Sequence, residues 1–383
     1  MIYLDNAATT FPKPACVICA VSDFMKSAAA NPGRGSHALS IRASYALFES
    51  RALLAEFFHT DVSRVAFTMN CTQAINFALK GCLQKGDHVI ISSLEHNAVY
   101  RPLFRMQQDG FVTFDVAEVD PNDDGRTVRN FEKLIRETTK MIFCTHVSNV
   151  FGTELPIASL ARLAHKHGLV FGVDAAQSAG CYRLNMEDMG IDLVCVPGHK
   201  GLFGPMGTGV LLFGDQVSPA PILEGGTGSL SLQAEQPEEY PDRLESGTLN
   251  LPGIVGLAAG LRFLRSIGGV DAVHEREAEL IRVLKSDLHA IRGVKVYDRV
   301  QKDNATLLSF NIGRLQSEEA ARQLSGFGFA VRAGYHCAAL AHRSMNTTDP
   351  GTIRVSPGVF STKQQMKNFI FYVNQIALGK KVC

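Results

Sequence analysis

The chain carries almost no net charge: 38 Lys and Arg offset 37 Asp and Glu across 383 residues, leaving +1. That balance supplies no field to draw in nucleic acid or an anionic membrane surface, so neither is expected as a partner. No apolar run is long enough to span a bilayer. The first residues, Met1-Ile-Tyr-Leu-Asp-Asn-Ala7, lack the basic-then-apolar layout of a secretory signal. Internal repeats and low-complexity tracts are also missing. The nine cysteines are irregularly spaced and outline no disulfide framework, so reduced thiols and a cytoplasmic setting are expected. Cys16 and Cys19 form a CxxC with no second pair, which gives no metal site; packing of a helix is their expected role.

What is present is apolar content, 46% of the residues, enough for a large core and two domains. Residues 1–40 are punctuated by Pro, Gly and Asn and read as irregular, with Arg34 and His37 as candidate lining of a site. A helix is expected over 39–58. From 65 to 212 strands and helices alternate: strands at 65–68, 89–92, 112–116, 141–145, 169–173, 192–196 and 209–213, helices at 72–83, 97–108, 128–137 and 157–167. This alternation predicts an α/β fold with a mostly parallel sheet covered on both faces. The remainder is mixed: helices at 254–267 and 271–291, short strands at 294–297, 307–311, 330–332 and 353–355, and a helix at 318–324. A last helix opens with the capping-box pattern Thr362-Lys-Gln-Gln365. The expected organisation is an N-terminal segment, 1–14, a large domain, 15–252, and a smaller αβ domain, 253–383.

The stretch from Val170 to Phe213 organises the chemistry. Asp174 stands where one buried strand ends, and a second strand empties into a glycine-rich loop carrying His199 and Lys200. Ligands bind at such strand ends in open α/β sheets. A lysine amine able to form a Schiff base and an acid able to hold a proton on a pyridine nitrogen are the two groups that pyridoxal 5'-phosphate requires. Lys200 and Asp174 fit those roles; taken singly, either residue would read as a solvated loop cation or a cap.

Three further strand ends suit a phosphorylated aromatic cofactor. The helix after Met69-Asn-Cys-Thr72 offers free N–H groups, so a phosphate could dock at Cys71 and Thr72; as a plain reading, Thr72 is an N-cap. His96 could stack on a ring. Asn149 could bond the ring hydroxyl, and Gln177 the same oxygen.

The motifs Tyr3-Leu-Asp-Asn-Ala-Ala8, Glu95-His96, Ser148-Asn149, Asp174-Ala-Ala-Gln177, Gly198-His-Lys-Gly201, Glu245-Ser-Gly-Thr-Leu-Asn250, Arg332-Ala-Gly-Tyr-His-Cys337 and Arg354 run through nearly the whole chain. In them the chain resembles the class V, fold-type I pyridoxal-phosphate enzymes, and among those the cysteine desulfurase and selenocysteine lyase group. The resemblance implies a fold-type I transferase acting on L-cysteine or L-selenocysteine as a homodimer, and a sulfur-acceptor protein as a further partner. It implies that Lys200 forms the Schiff base, that Asp174 pairs with the pyridine nitrogen, and that His96 stacks on the ring. His199 is implied among the cofactor contacts, and Thr248 would reach the phosphate bound by the neighbouring subunit. Arg354, with Asn149 and Arg332, would bind the substrate, and Cys337 would accept its sulfur as a persulfide, with His336 and Arg332 favouring the thiolate.

Departures from the group's pattern accompany the match. Pro197 stands where a hydroxyl residue usually precedes Gly-His-Lys, Asn70-Cys71-Thr72 replaces Gly-Thr-Thr, and Ala339 stands where a proline often follows the Cys-Ala pair. Loss of hydroxyl contacts, each worth about 0.5–1.5 kcal/mol, predicts weakened phosphate binding. Two competing readings stay open: another class V lyase, epimerase or aminotransferase with Cys337 incidental, or a degenerate scaffold that holds cofactor or a partner protein without turnover.

Overall fold

The structure, a computed structural model, describes residues 1–33, 35–298 and 303–379. Arg34, named above as candidate lining, lies outside the described residues. The strands run in chain order as β1 (Ile2–Tyr3), β2 (Val65–Thr68), β3 (His88–Ser92), β4 (Thr113–Ala117), β5 (Thr139–Thr145), β6 (Val170–Asp174), β7 (Leu193–Pro197) and β8 (Gly209–Phe213). Seven of them form one sheet in the order β2-β8-β7-β6-β5-β3-β4. Strand β8 runs antiparallel to both neighbours, and the other pairings are parallel. The fold is therefore α/β with a large, mostly parallel sheet, as the alternation of elements predicts.

Every residue of β2, β3, β7 and β8 is buried, the pattern of strands covered on both faces. Ile90 and Ile142 face one core, whereas Val89, Ile91, Met141 and Phe143 face the other. The two-residue alternation of side chains thus splits each apolar run between two helical layers.

A second, four-stranded antiparallel sheet has the order β12-β13-β10-β9, formed by β9 (Val294–Tyr297), β10 (Leu308–Ile312), β12 (Arg332–Gly334) and β13 (Thr352–Val355). It has its own core, in which Leu284, Phe310, Met366 and Phe369 pack together. The helix Lys363–Ala377 covers this sheet and begins with the expected capping box, both halves formed between Thr362 and Gln365.

Several elements differ from the sequence expectation. Strand β1 pairs in parallel with β11 (Phe329–Ala330), and Leu4 joins the core of the small sheet, so the N-terminus is a strand and not a loop. The pairing spans more than 300 residues, beyond the reach of any local pattern. Residues Ala15–Ser27 form a helix that buries Val17 and Phe24. Cys16 and Cys19 lie on its exposed side, so they do not pack the helix as expected. The helix expected over 128–137 is Asp124–Glu132, because Asp123 caps it by accepting from Arg126 N at 2.8 Å. The helix Leu251–Ser266 buries Leu257, Leu261 and Leu264 in the core of the large sheet. Among the described residues, no single helix is long and apolar enough to cross a membrane.

Candidate active site

The parallel strands of the large sheet end together, and their last residues form the floor of a cavity of about 180 Å³. Register places Thr145 of β5 beside Asp174 of β6, and β7 leads through Pro197 into the Gly198–Gly201 loop. The glycines are dictated by packing: a Cβ on Gly198 would overlap Thr208 Oγ1, and one on Gly201 would overlap Ala179 O. The loop is thereby pressed onto the large domain with Lys200 facing the cavity.

Eight of the candidates meet there: Cys71, Thr72, His96, Asn149, Asp174, Gln177, His199 and Lys200 all line this one space. Lys200 has its ammonium lowered to about 8, first by burial and then by the charge of Arg354. Asp174 is buried; its Oδ1 accepts from Ala176 N at 2.9 Å and from Cys71 Sγ at 3.6 Å. Burial raises its carboxyl above the usual range, while the Ala176 N–H and the Lys200 charge oppose that rise.

The helix Cys71–Cys82 points its N-terminus at the same space. Asn70, not Thr72, is its N-cap and accepts from Gln73 N at 2.9 Å. Thr72 is therefore the second residue of the helix and is exposed, so the plain N-cap reading of Thr72 does not hold. Cys71 turns its thiol to Asp174, and burial, followed by the Asp174 charge, pushes that thiol well above its ordinary value.

His96 caps the helix Asn97–Gln108: its Nδ1 accepts from Ala98 N at 3.0 Å, which leaves the ring proton on Nε2. Burial and the nearby Lys200 and Arg332 charges lower it to about 4, so the ring is neutral at pH 7. His199 is lowered to about 4 by burial and then by Lys200 and Lys13, and its Nδ1 is buried with no partner among the described residues. Asn149 Nδ2 donates to His336 O at 2.7 Å, and Gln177 Nε2 donates to Ala7 O at 3.0 Å.

The rim belongs to the small sheet. Arg354, on β13, is buried; it donates through Nη1 to Asn149 O at 2.8 Å and through Nη2 to Asp5 Oδ1 at 2.7 Å. Arg332 opens β12, and its Nη2 lies 3.9 Å from Cys337 Sγ. Cys337 is exposed, both it and the preceding His336 have positive φ (57° and 49°), and its carbonyl accepts from Asn97 N at 2.7 Å. That last bond ties the cysteine loop to the helix capped by His96.

Two candidates fall outside this arrangement. Thr248 is exposed and does not line the cavity of its own chain. His37 is exposed and caps the helix Ala38–Phe58 by accepting from Ser40 N at 3.2 Å. His336 does not favour a Cys337 thiolate as expected: it is buried, its Nε2 faces Thr352 at 3.1 Å, and burial lowers it to about 2, so it carries no charge.

Sequence reasoning gave no role to Asp5, Thr9, Thr10, Lys13 or Glu95. Thr9 Oγ1 (3.1 Å), Thr10 N (3.2 Å) and Lys13 Nζ (2.7 Å) converge on the carbonyl of His199, fixing the peptide before Lys200. Glu95 is fully buried and accepts from Thr145 N at 2.8 Å and from Ser92 Oγ, joining β3 to β5. Its carboxyl is raised to about 8 by burial. The only advance signal was the quoted Tyr3–Ala8 and Glu95-His96 motifs.

The donor set fits pyridoxal phosphate on the structure's own terms. A buried acid, a lysine whose ammonium is lowered to about 8, a neutral imidazole and His199 line one cavity beside a helix N-terminus.

Residues 2–369 match the Aminotransferase class-V family. A protein of Methanothermobacter thermautotrophicus named "Probable cysteine desulfurase" is 33% identical over 377 residues, covering 96% of this chain and 92% of that one. A cysteine desulfurase of Dickeya dadantii is 31% identical, covering 98% and 92%. The apo structure of the cysteine desulfurase from Thermococcus onnurineus superposes with a TM-score of 0.92 at 30% identity, covering 99% of this chain and 95% of that chain. With the family matched over almost its full length, and the lysine and acid of the site at adjoining strand ends, this chain belongs to the aminotransferase class-V family.

Proposed function

We propose that the chain is a pyridoxal-phosphate-dependent cysteine desulfurase that converts L-cysteine to L-alanine and takes the sulfur onto Cys337. The observation that carries the reading is the meeting of Lys200 and Asp174 in one cavity, with an exposed thiol and two arginines on its rim. Held by Lys200 and Asp174, pyridoxal phosphate would supply the electron sink that makes the substrate Cα acidic.

The chain's own residues divide the remaining work. Lys200 supplies the amine that holds the cofactor and, once free, moves the Cα proton; an ammonium near 8 releases its proton far more readily than an ordinary lysine. Asp174 holds the pyridine nitrogen, and the neutral His96 ring stacks on the cofactor. The Cys71 and Thr72 N–H groups at the helix N-terminus, with His199, hold the phosphate. Asn149 and Gln177 reach the ring hydroxyl with the amide hydrogens that their bonds to His336 and Ala7 leave over. Arg354 binds the substrate carboxylate, with Asn149 and Arg332 alongside. Arg332 sets a cation beside Cys337 Sγ. The Cys337 thiolate attacks the substrate sulfur, the C–S electron pair passes to Cβ, which takes a proton, and Lys200 returns the proton to Cα to give alanine. The enzyme keeps the sulfur as a persulfide, and the balance needs no outside oxidant. L-Selenocysteine enters the same way, its selenium leaving more easily.

We place Thr248 at the phosphate of a second copy. The exposed Ile41, Tyr45 and Phe48 on one side of the helix Ala38–Phe58 support a homodimer, since apolar residues so arranged favour a partner surface. We keep the division into a segment 1–14, a cofactor domain 15–252 and a domain 253–383, with the helix Leu251–Ser266 at the second boundary packed on the large sheet and Arg332, Cys337 and Arg354 of the rim coming from the last part. An exposed Cys337 suits delivery of sulfur to an acceptor protein, in a cytoplasm that keeps thiols reduced.

The test is mass spectrometry of the holoenzyme after L-cysteine: a one-sulfur adduct on the Cys337 peptide, with alanine as product, is expected. Pyruvate, a keto acid or racemised cysteine without that adduct would move the assignment to another class V reaction.

A further inference from the structure

The roles above use the backbone of Cys71 and leave its side chain idle. Its place at the floor is fixed by its neighbours. Gly209 of β8 has no Cβ, which would come within 2.5 Å of the Asn70 carbonyl carbon, so the head of the helix Cys71–Cys82 lies close on the sheet. Thr68 Oγ1 donates to Asn70 O at 3.0 Å, and the Asn70 side chain accepts from Gln73 N at 2.9 Å. Cys71 follows directly, 9% exposed, with its Sγ 3.6 Å from Asp174 Oδ1. The larger radius of sulfur keeps that distance within donor reach, and toward a carboxylate a thiol has only its S–H to offer.

Asp174 needs such a donor. The last torsion of an aspartate side chain is broad and does little to hold the carboxylate plane. Ala176 N bonds Oδ1 at 2.9 Å, but it belongs to the turn that Asp174 itself begins. Cys71 reaches the same oxygen from another element, 103 positions away. Two donors from different directions fix the plane of the carboxylate, whereas with Ala176 N alone the plane could tilt about that oxygen. Among the described residues no hydrogen bond reaches Oδ2, which is left for a ligand in the cavity. The titratable neighbours Lys200, Glu95, Cys144 and Cys195 bond to neither oxygen.

We propose that Cys71 is a positioning residue for the cofactor ring: its S–H donates to Asp174 Oδ1 and so sets Oδ2 to hold the pyridine nitrogen. The inference rests on reading Asp174 as the partner of that nitrogen. One residue then serves both ends of the cofactor, its N–H the phosphate and its thiol, through Asp174, the ring.

Substitution at Cys71 keeps the backbone N–H, so the phosphate contact survives and the ring is what changes. Cys71→Val removes the S–H and fills its space; Cys71→Ala removes both. The readout is the pH midpoint of the visible band of the bound cofactor, taken without substrate. With its ring nitrogen less firmly protonated, the cofactor withdraws less density, and the nitrogen it shares with Lys200 keeps its proton to higher pH. The midpoint should rise by roughly half a unit in both variants, with cofactor bound roughly threefold more weakly. An unchanged or lower midpoint would overturn the inference, and so would a rise in Cys71→Ala that Cys71→Val abolishes, which would trace the effect to packing. Infrared spectra give a second measure: the S–H stretch lost in Cys71→Ala should lie at the lowered frequency of a thiol bonded to a carboxylate, and a free-thiol frequency refutes the idea. Asp174→Asn separates the two levels. If it leaves the midpoint at the wild-type value, the pairing of Asp174 with the ring fails; if it moves the midpoint or abolishes the band while both Cys71 variants match the wild type, only the role of Cys71 fails.

Discussion

Two cysteines face the candidate site from opposite sides and live in opposite surroundings. Cys71, on the floor, is buried at the head of a helix, donates to Asp174, and has its thiol pushed far up by burial. Cys337, on the rim, is exposed, sits in a left-handed turn, and has Arg332 3.9 Å from its sulfur. A thiol against a buried carboxylate is held as a neutral donor, whereas an exposed thiol on an open loop is accessible to substrate and reagents. Residue type thus says little about chemistry until the neighbouring charge is known. The floor is a set of fixed, mostly neutral or acidic groups that hold a cofactor; the rim is cationic and open, suited to substrate and sulfur.

Removing the lysine between the two regions should have the largest effect. Lys200→Ala should lose turnover by more than roughly a thousandfold and lose the visible absorbance of the bound cofactor. Wild-type turnover by that variant would end the assignment of Lys200. Next comes the comparison itself. Cys337→Ala should form alanine roughly a hundredfold more slowly while keeping the cofactor spectrum; Cys71→Ala should stay within about tenfold of wild type in turnover. Equal losses would show that floor and rim are not divided as described. Alkylation of the wild type should modify the Cys337 peptide first, and faster labelling of Cys71 would break the contrast in reactivity.

A subtler effect concerns pH. With Lys200 lowered to about 8, capture of added cofactor by apo-protein should speed up as pH rises through 8, well below an ordinary lysine. A midpoint near 10.5 would show that burial does not act on this amine. The smallest effect lies away from both regions. Glu277 is buried, and its folded-state carboxyl is raised by burial from 4.5 to about 8. Because the folded value is the higher one, its contribution to stability is complete below 4.5 and is lost as pH rises toward 8. Glu277→Gln should flatten the fall in melting temperature across that interval by a few degrees, checked by thermal melts at pH 5 and pH 8.

The floor was legible because its residues end strong local patterns. Asp174 and Lys200 follow apolar runs whose β-branched content marks them as buried strands, and Cys71, Thr72 and His96 stand at helix starts. The rim was less so. Arg354 and Cys337 were named through resemblance, but the charge expected of His336 disappears once its ring is buried against Thr352. The CxxC of Cys16 and Cys19 was expected to pack a helix, yet Val17 and Phe24 take that side. A two-residue difference in helical phase decides such a question, and only the docking of the helix sets the phase.

The sequence by itself determined the alternating α/β pattern, the capping box at Thr362, and the polar residues that must emerge at the strand ends, because each depends on neighbours a few positions away. The tertiary structure alone decided that β1 lies beside β11, that Asp5 meets Arg354 across 349 positions, and that Thr9, Thr10 and Lys13 clasp the His199 carbonyl. These contacts join the N-terminal end of the chain both to its C-terminal part and to its middle. No local preference specifies them; they follow from burying two sheets and their helices against one another, which brings distant polar groups together and leaves each to find its partner there.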